Sequence, residues 1–517
     1  MRISLAHFVS ALFATTVAAA ATAAPAPGDP LGFDDARHLL NRTGFGATQT
    51  EVERFARMSR EEAARKLLAG GRTVAVTAPP AWVGSAESLR YPRAGDQSTA
   101  EEKKLFQQQQ VREGLDLRGW WVEEMLATPS PLTERMTLFW HNHFVSSQQK
   151  VKLAELMYRQ NVTLRANALG NYGDLLHAIA RDPAMVVYLD SVQNRKGTPN
   201  ENFAREVMEL FTLGEGNYTE QDVKEAARAF TGWSIDRTTG QFVFRRFIHD
   251  DGSKTVLGRT GNLDGDQVLD ILLEQPQASE YITRKLWREF VSPDPDQAEV
   301  KRIARRFRDS RYDIKVALYA LLTSDAFYAR ENRGTLIKSP IELVVGTLKQ
   351  FDFKPAESLP FAVAAAGMGQ NLFSPPNVKG WPGQETWINS STLLARKQFL
   401  DRVFRTDDAG AKTIAVPPAM DPQAMAPKQA IMPAGAQDPD KMRQVLFRRA
   451  MDRGLNSVQF DSAAWFAQLG VLPYGPQRAD ASTRLLLATA PQAVPDPNSE
   501  PLTMVRGIVL DVSYQLK

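Results

Sequence analysis

The stretch Thr198-Pro199-Asn200-Glu201-Asn202-Phe203-Ala204-Arg205-Glu206-Val207-Met208-Glu209-Leu210-Phe211 reads as the start and body of an amphipathic helix. Thr198 stands at the N-cap position, Pro199 where a missing N–H costs nothing, and Glu201 where its carboxylate can return to the cap amide. At about 100° per residue, Phe203, Ala204, Val207, Met208, Leu210 and Phe211 share one side, while Glu201, Asn202, Arg205, Glu206 and Glu209 share the other. The same periodicity recurs at 133–146, 151–169, 172–182, 220–231, 279–291, 297–309, 313–323 and 340–351. Together these segments predict a mainly α fold, a multi-helix orthogonal bundle.

Working outward, Thr48 and Glu51 form a capping-box signature ahead of Val52, Phe55 and the Leu67-Leu68 pair, and Gly70-Gly71 closes that element. Residues 73–99 have no period and read as loop. One segment departs from the helical pattern: Gln241 to His249, a turn at 250–253, and Lys254 to Gly258 predict a small β-hairpin insertion near 241–258. Between Thr406 and Lys441 the composition shifts to Pro, Ala, Met and Gln. The expected organisation is a signal peptide at 1–23, a main helical domain at 24–403, a Pro/Ala-rich linker or wrapping loop at 404–440, and a small C-terminal helical unit at 441–517.

The chain has 517 residues, 43% hydrophobic and 23% charged, which fits a folded globular protein and excludes collagen-like, multi-span membrane and wholly disordered classes. Lys and Arg number 62 against 59 Asp and Glu, too even a balance for a whole-surface attraction to nucleic acid. The absence of cysteine excludes disulfides, thiolate nucleophiles and iron–sulfur clusters. No haem, nucleotide or P-loop signature is present. Residues 1–23 combine Arg2, an apolar run and the small-residue box Ala21-Thr22-Ala23, the pattern of a secretory signal cleaved after Ala23. A periplasmic or secreted protein without a transmembrane span is expected.

Beyond the signal, five histidines remain: His38, His141, His143, His177 and His249. His141 and His143 lie in the greasy run Phe139-Trp140-His141-Asn142-His143-Phe144, where polar groups are costly and call for an explanation. Two positions apart on a helix is about 200° of rotation, so the pair can share a metal only where the helix ends. Each is equally readable as a hydrogen-bonded core imidazole. His249-Asp250-Asp251-Gly252-Ser253-Lys254 places an imidazole, two carboxylates and an amine on one turn, a pattern that turn-forming propensity also explains. The turn-rich segment 371–389 carries Trp381 and Trp387, which either stack on a sugar ring or pin the loop to the core. The basic run from Lys301 to Arg311 reads as a solvated helix face.

The hexapeptide Phe139–Phe144, the stretch Asn200–Gly214, Tyr218–Val223, Thr231-Gly232-Trp233, His249 to Lys254, and Pro375-Pro376-Asn377-Val378 with Gly380-Trp381-Pro382 together resemble the bacterial domain of unknown function 1800 family, over about 31–400. The resemblance implies an exported protein, often encoded beside a partner of the domain of unknown function 1501 family, which resembles the alkaline phosphatase and sulfatase superfamily. It implies no established activity.

These features combine into one expectation: a polar cleft for ligand or metal, with hydrolase or other acid/base chemistry. Glu206 or Glu209 would be general base or metal ligand, His141 and His249 ligands or proton carriers, and Arg205 an anion clamp. Asn202, Lys254, Trp381 and Trp387 would contact the ligand. A divalent metal would sit on His141, His143 and Glu206. The alternative is a non-catalytic secreted binding or assembly protein, in which the same polar groups form a structural network and the aromatic loop docks a partner or glycan.

Overall fold

The computed structural model describes residues 28–85, 87–89, 98–405 and 439–517, with side chains from 445 onward in the last stretch. The expected signal at 1–23 and residues 406–438 of the expected linker lie outside the described residues. Among the described residues, 23 α-helices are joined by short turns and accompanied by two antiparallel two-stranded sheets. The fold is mainly α with small hairpins. No helix of the described residues is long and apolar enough to cross a membrane.

Local chemistry sets many helix starts. Thr48 and Glu51 form the expected capping box, but the element it opens stops at Ala56. A second helix, Arg60–Ala69, begins on its own box of Ser59 and Glu62. The helix after Thr198 starts later than expected. Thr198 instead pairs with Arg195 in an isolated β-bridge, and the helix runs from Asn202. The reason lies in Asn194 and Asn200. The Asn194 Oδ1 accepts the Asn200 N–H at 2.9 Å and the Asn200 Oδ1 accepts the Asn202 N–H at 3.0 Å, a chain of asparagine turns that replaces the cap.

The strands pair differently from a single 241–258 hairpin. Phe242–Phe244 pairs backward with Trp233–Ile235, while Lys254–Val256 pairs forward with Arg259–Gly261. The Arg246–Ile248 3-10 turn falls between the two ladders and separates them.

At the centre lies the Pro131–His143 helix. Eleven of its thirteen residues are buried, polar ones included. Trp140 packs against Phe139, Phe144 and Tyr172, and its indole N–H donates to Ala168 O at 3.0 Å. Glu134 accepts both Nε and Nη2 of Arg165, at 2.6 and 2.9 Å, and the Trp121 indole N–H at 2.8 Å. Arg135 is paired with Glu289 and Glu342. Leu455, Trp465, Phe466, Val505 and Tyr514 from the C-terminal helices belong to the same buried cluster as this central helix.

Because the Glu134–Arg165 pair is wholly buried, Glu134→Gln leaves a guanidinium without a counter-charge. The expected loss in urea or guanidinium unfolding is about 3–5 kcal/mol.

Candidate functional site

After Glu206 the helix widens. Val207–Thr212 forms a π turn, in which the Leu213 and Gly214 N–H groups both donate to Met208 O, at 2.8 and 3.1 Å. Such turns are rare and frequent at functional sites. The last-turn carbonyls of Leu210 and Phe211 are taken up by side chains from elsewhere, as helix ends require. Tyr281 and Lys285, one turn apart on the Pro276–Phe290 helix, donate to Leu210 O at 3.1 and 3.4 Å. His143 Nε2 lies 3.0 Å from Phe211 O, to which the Tyr172 hydroxyl also donates.

This geometry fixes a tautomer. A carbonyl only accepts, so His143 Nε2 carries the hydrogen and Nδ1 holds a lone pair. Lys285 Nζ sits 2.9 Å from that Nδ1 and donates to it. Burial, then the neighbouring Lys285 charge, hold the His143 pKa well below the usual imidazole range. Burial, then Arg288, bring Lys285 down to about 7. The result is a neutral imidazole bonded to an amine that exchanges its proton near neutrality.

Both groups line a cavity of about 540 Å³. Its wall carries five cationic side chains, Arg135, Lys285, Arg288, Lys379 and Lys517, against the acidic Glu289, Glu342 and Glu385. Glu342 is already engaged. Burial alone would lift its carboxyl, but Arg135 and Lys517 outweigh that and hold it at about 2. Arg288, by contrast, makes no ion pair with a described residue.

One side of the cavity is the loop that carries Trp381 and Trp387. Asn142 clasps this loop from both directions: Trp381 N–H donates to its Oδ1 at 2.7 Å, and its Nδ2 donates to Trp381 O at 3.1 Å. Gly380 is required beneath the clasp, at φ +81°, because a Cβ there would collide with Asn142. Arg118 holds the start of the same segment through Asn371 Oδ1 at 2.7 Å and Ser374 Oγ at 2.9 Å. Both tryptophans are buried, so they pin the loop rather than offer open faces.

Of the residues singled out from sequence, His143, Trp381 and Trp387 line this cavity. His141 does not. Its ring sits among Trp121, Phe373 and Trp381, at centroid distances of 5.4, 5.3 and 5.8 Å, and burial with the nearby Arg118 lowers it to about 3. The helix does end at His143, yet the two imidazoles face different partners.

The proposed His141, His143 and Glu206 metal set is therefore not assembled. Among the described residues no three His, Asp or Glu side chains converge as ligands. His141 is walled by aromatics and His143 spends both nitrogens on Phe211 O and Lys285. These residues do not fit a divalent ion.

Glu206 and Glu209 are neighbours, as expected, and burial followed by the Glu209 charge raises the Glu206 pKa. Glu209 accepts the Tyr218 hydroxyl at 3.0 Å and lies 3.6 Å from Lys379, which reaches the cavity. Arg205 is not free to clamp a ligand, being bonded to Glu220 at 2.7 and 2.8 Å and to Glu201 at 3.1 Å. Asn202 Nδ2 donates to Asp190 at 3.1 Å. His249 Nδ1 bonds Thr231 O at 2.8 Å, closing the 231–250 loop on itself. Lys254 is buried and donates to Gly252 O at 2.9 Å and Asn262 Oδ1 at 3.3 Å. None of these last four residues lines the cavity.

Lys285 is the residue that sequence reasoning missed. It flanks the apolar stripe of Ile282, Leu286 and Trp287, where lysines commonly run along a core and reach water. Its acceptors are a backbone carbonyl and a ring nitrogen, 75 and 142 positions away in the chain. The one local hint is Tyr281 four residues earlier on the same face.

The amine gives a sign-definite pH effect. Its folded pKa of about 7 lies below the ordinary 10.5, so between those values the unfolded chain holds a proton that the folded chain does not. Wild-type stability therefore rises relative to Lys285→Met as pH climbs through that window, and below about 7 the difference is flat. Paired urea unfolding curves at pH of about 6 and about 9 measure it.

No curated protein and no solved structure matches the chain. A family model does, that described as "Protein of unknown function (DUF1800)", over residues 38–516. That span takes in the central helix, the π turn, the clasped loop and the helices from Pro439 onward, and the chain belongs to this family.

Proposed function

We propose that the cavity takes up a small anionic organic molecule and that Lys285, with His143, transfers a proton on it, making the chain an acid/base enzyme of the hydrolase or a related kind. The observation that carries this reading is the Lys285–His143 hydrogen bond of 2.9 Å on the wall of a cavity richer in cations than in carboxylates. A general acid or base works best with a pKa near the ambient pH, which burial supplies for Lys285. Arg288, free of ion pairs among the described residues, is the group available to an incoming carboxylate or phosphate. Arg135 and Lys517 serve another end, since Glu289 and Glu342 are already paired with them.

Export to the periplasm or beyond belongs to the same proposal, as does a partner of the domain of unknown function 1501 family. The signal-like residues 1–23 support the first and the family resemblance the second. The burial of Trp381 and Trp387 gives glycan stacking no support.

Calorimetric titration of the purified protein with succinate, phosphate and neutral isosteres tests the binding half of this reading. Anions are expected to bind and neutral molecules not, and Arg288→Gln to weaken the anion by about tenfold, near 1.4 kcal/mol. Equal binding of neutral and anionic molecules, or indifference to Arg288→Gln, contradicts it.

A further inference from the structure

Three lysines line the cavity, and their surroundings differ in kind. Lys379 is exposed and paired with Glu209 and Glu215. Lys517 is locked to the buried Glu342. Lys285 has no carboxylate partner among the described residues, and its contacts are the His143 lone pair and Leu210 O. A fourth lysine, Lys338, is as deeply placed, but it lies over the Tyr514 ring at 3.8 Å and does not line the cavity.

An ammonium tied to a carboxylate is no nucleophile, whereas an amine held by a nitrogen lone pair and a carbonyl keeps access to its uncharged form. Resting on the reading of the cavity as an anion site, we propose that Lys285 forms an imine with the carbonyl carbon of a small oxo acid whose carboxylate meets Arg288. The class of substrate follows from this pairing: an acid group for the guanidinium and an electrophilic carbon for the amine.

The step balances without any oxidant or reductant. The Nζ lone pair attacks the carbonyl carbon, the C–N bond forms, and the carbonyl π pair moves to oxygen. One N–H proton passes to His143 Nδ1, already its hydrogen-bond acceptor at 2.9 Å, and on to that oxygen, giving a carbinolamine. The remaining N–H proton then passes through His143 Nδ1 to the hydroxyl, which leaves as water as the nitrogen lone pair closes the C=N bond. Substrate and amine have become imine and one water. The His143 Nε2 hydrogen bond to Phe211 O keeps the ring turned so that Nδ1 faces the amine throughout.

The experiment is reductive trapping. The purified full chain is incubated at neutral pH with glyoxylate, pyruvate or 2-oxoglutarate, each with cyanoborohydride, and digested for mass mapping. The expected result is a stable secondary amine on Lys285 in preference to the exposed Lys354 and Lys379, with at least one of the three acids. Lys285→Arg keeps donors for His143 and Leu210 but has no amine, and is expected to bind the acid while leaving no adduct at position 285. Calorimetry of the same acids without reductant separates the two readings. An acid that binds in an Arg288-dependent way yet leaves Lys285 unmodified overturns the imine and leaves the anion site standing. Failure of all three acids to bind overturns both.

Discussion

Everything in this fold depends on burying the Pro131–His143 helix, which is polar at Glu134, Arg135, His141, Asn142 and His143 and yet has almost no exposed face. Polar groups removed from water must find partners within the protein. The helix meets that demand by recruiting a different element for nearly each one. Glu134 draws in Arg165, Arg135 draws in Glu289 and Glu342, Asn142 draws in the 380–381 backbone, and His143 draws in the π turn and Lys285. One buried helix thereby fixes the relative positions of segments up to about 240 residues apart.

The cavity is a by-product of these ties. Its walls come from the central helix, the Pro276–Phe290 helix, the clasped tryptophan loop and Lys517, all positioned by the same set of contacts. Within it, the π turn has a specific consequence. By leaving Leu210 and Phe211 carbonyls to outside donors, it orients the imidazole of His143 and the amine of Lys285 toward each other. Electrostatics then does the rest, since neither group has a carboxylate to stabilise its charged form among the described residues. The Asn142 clasp ties the tryptophan loop to the central helix, and its tight approach explains why glycine occupies position 380.

The sequence was legible where the causes are local. Thr48 with Glu51 announces a helix start because both partners lie within one turn, and the apolar face of Phe203, Val207 and Phe211 is periodic on its own. It was less legible where a remote group decides. Thr198 has every feature of a cap, but the side chain of Asn194 takes the Asn200 amide and delays the helix. Arg205 looks like an anion clamp until Glu220 is seen across the turn. His141 and His143 invite a shared role from their spacing, whereas the fold sends one into an aromatic box and the other to an amine. For Lys285 the chain offers only Tyr281 one turn earlier, because what distinguishes the lysine is the lack of a carboxylate in three dimensions among the described residues, and that is not a property of its neighbours in the chain.

The central claim is that His143 is a neutral imidazole, protonated on Nε2 and receiving a hydrogen bond from Lys285 on Nδ1. Nitrogen-15 NMR of the imidazole rings reads this directly. The account predicts that one histidine, assigned through His143→Gln, keeps a protonated Nε2 and an unprotonated Nδ1 from mildly acidic to mildly basic pH. An imidazolium at neutral pH, or a ring carrying its hydrogen on Nδ1, would contradict it.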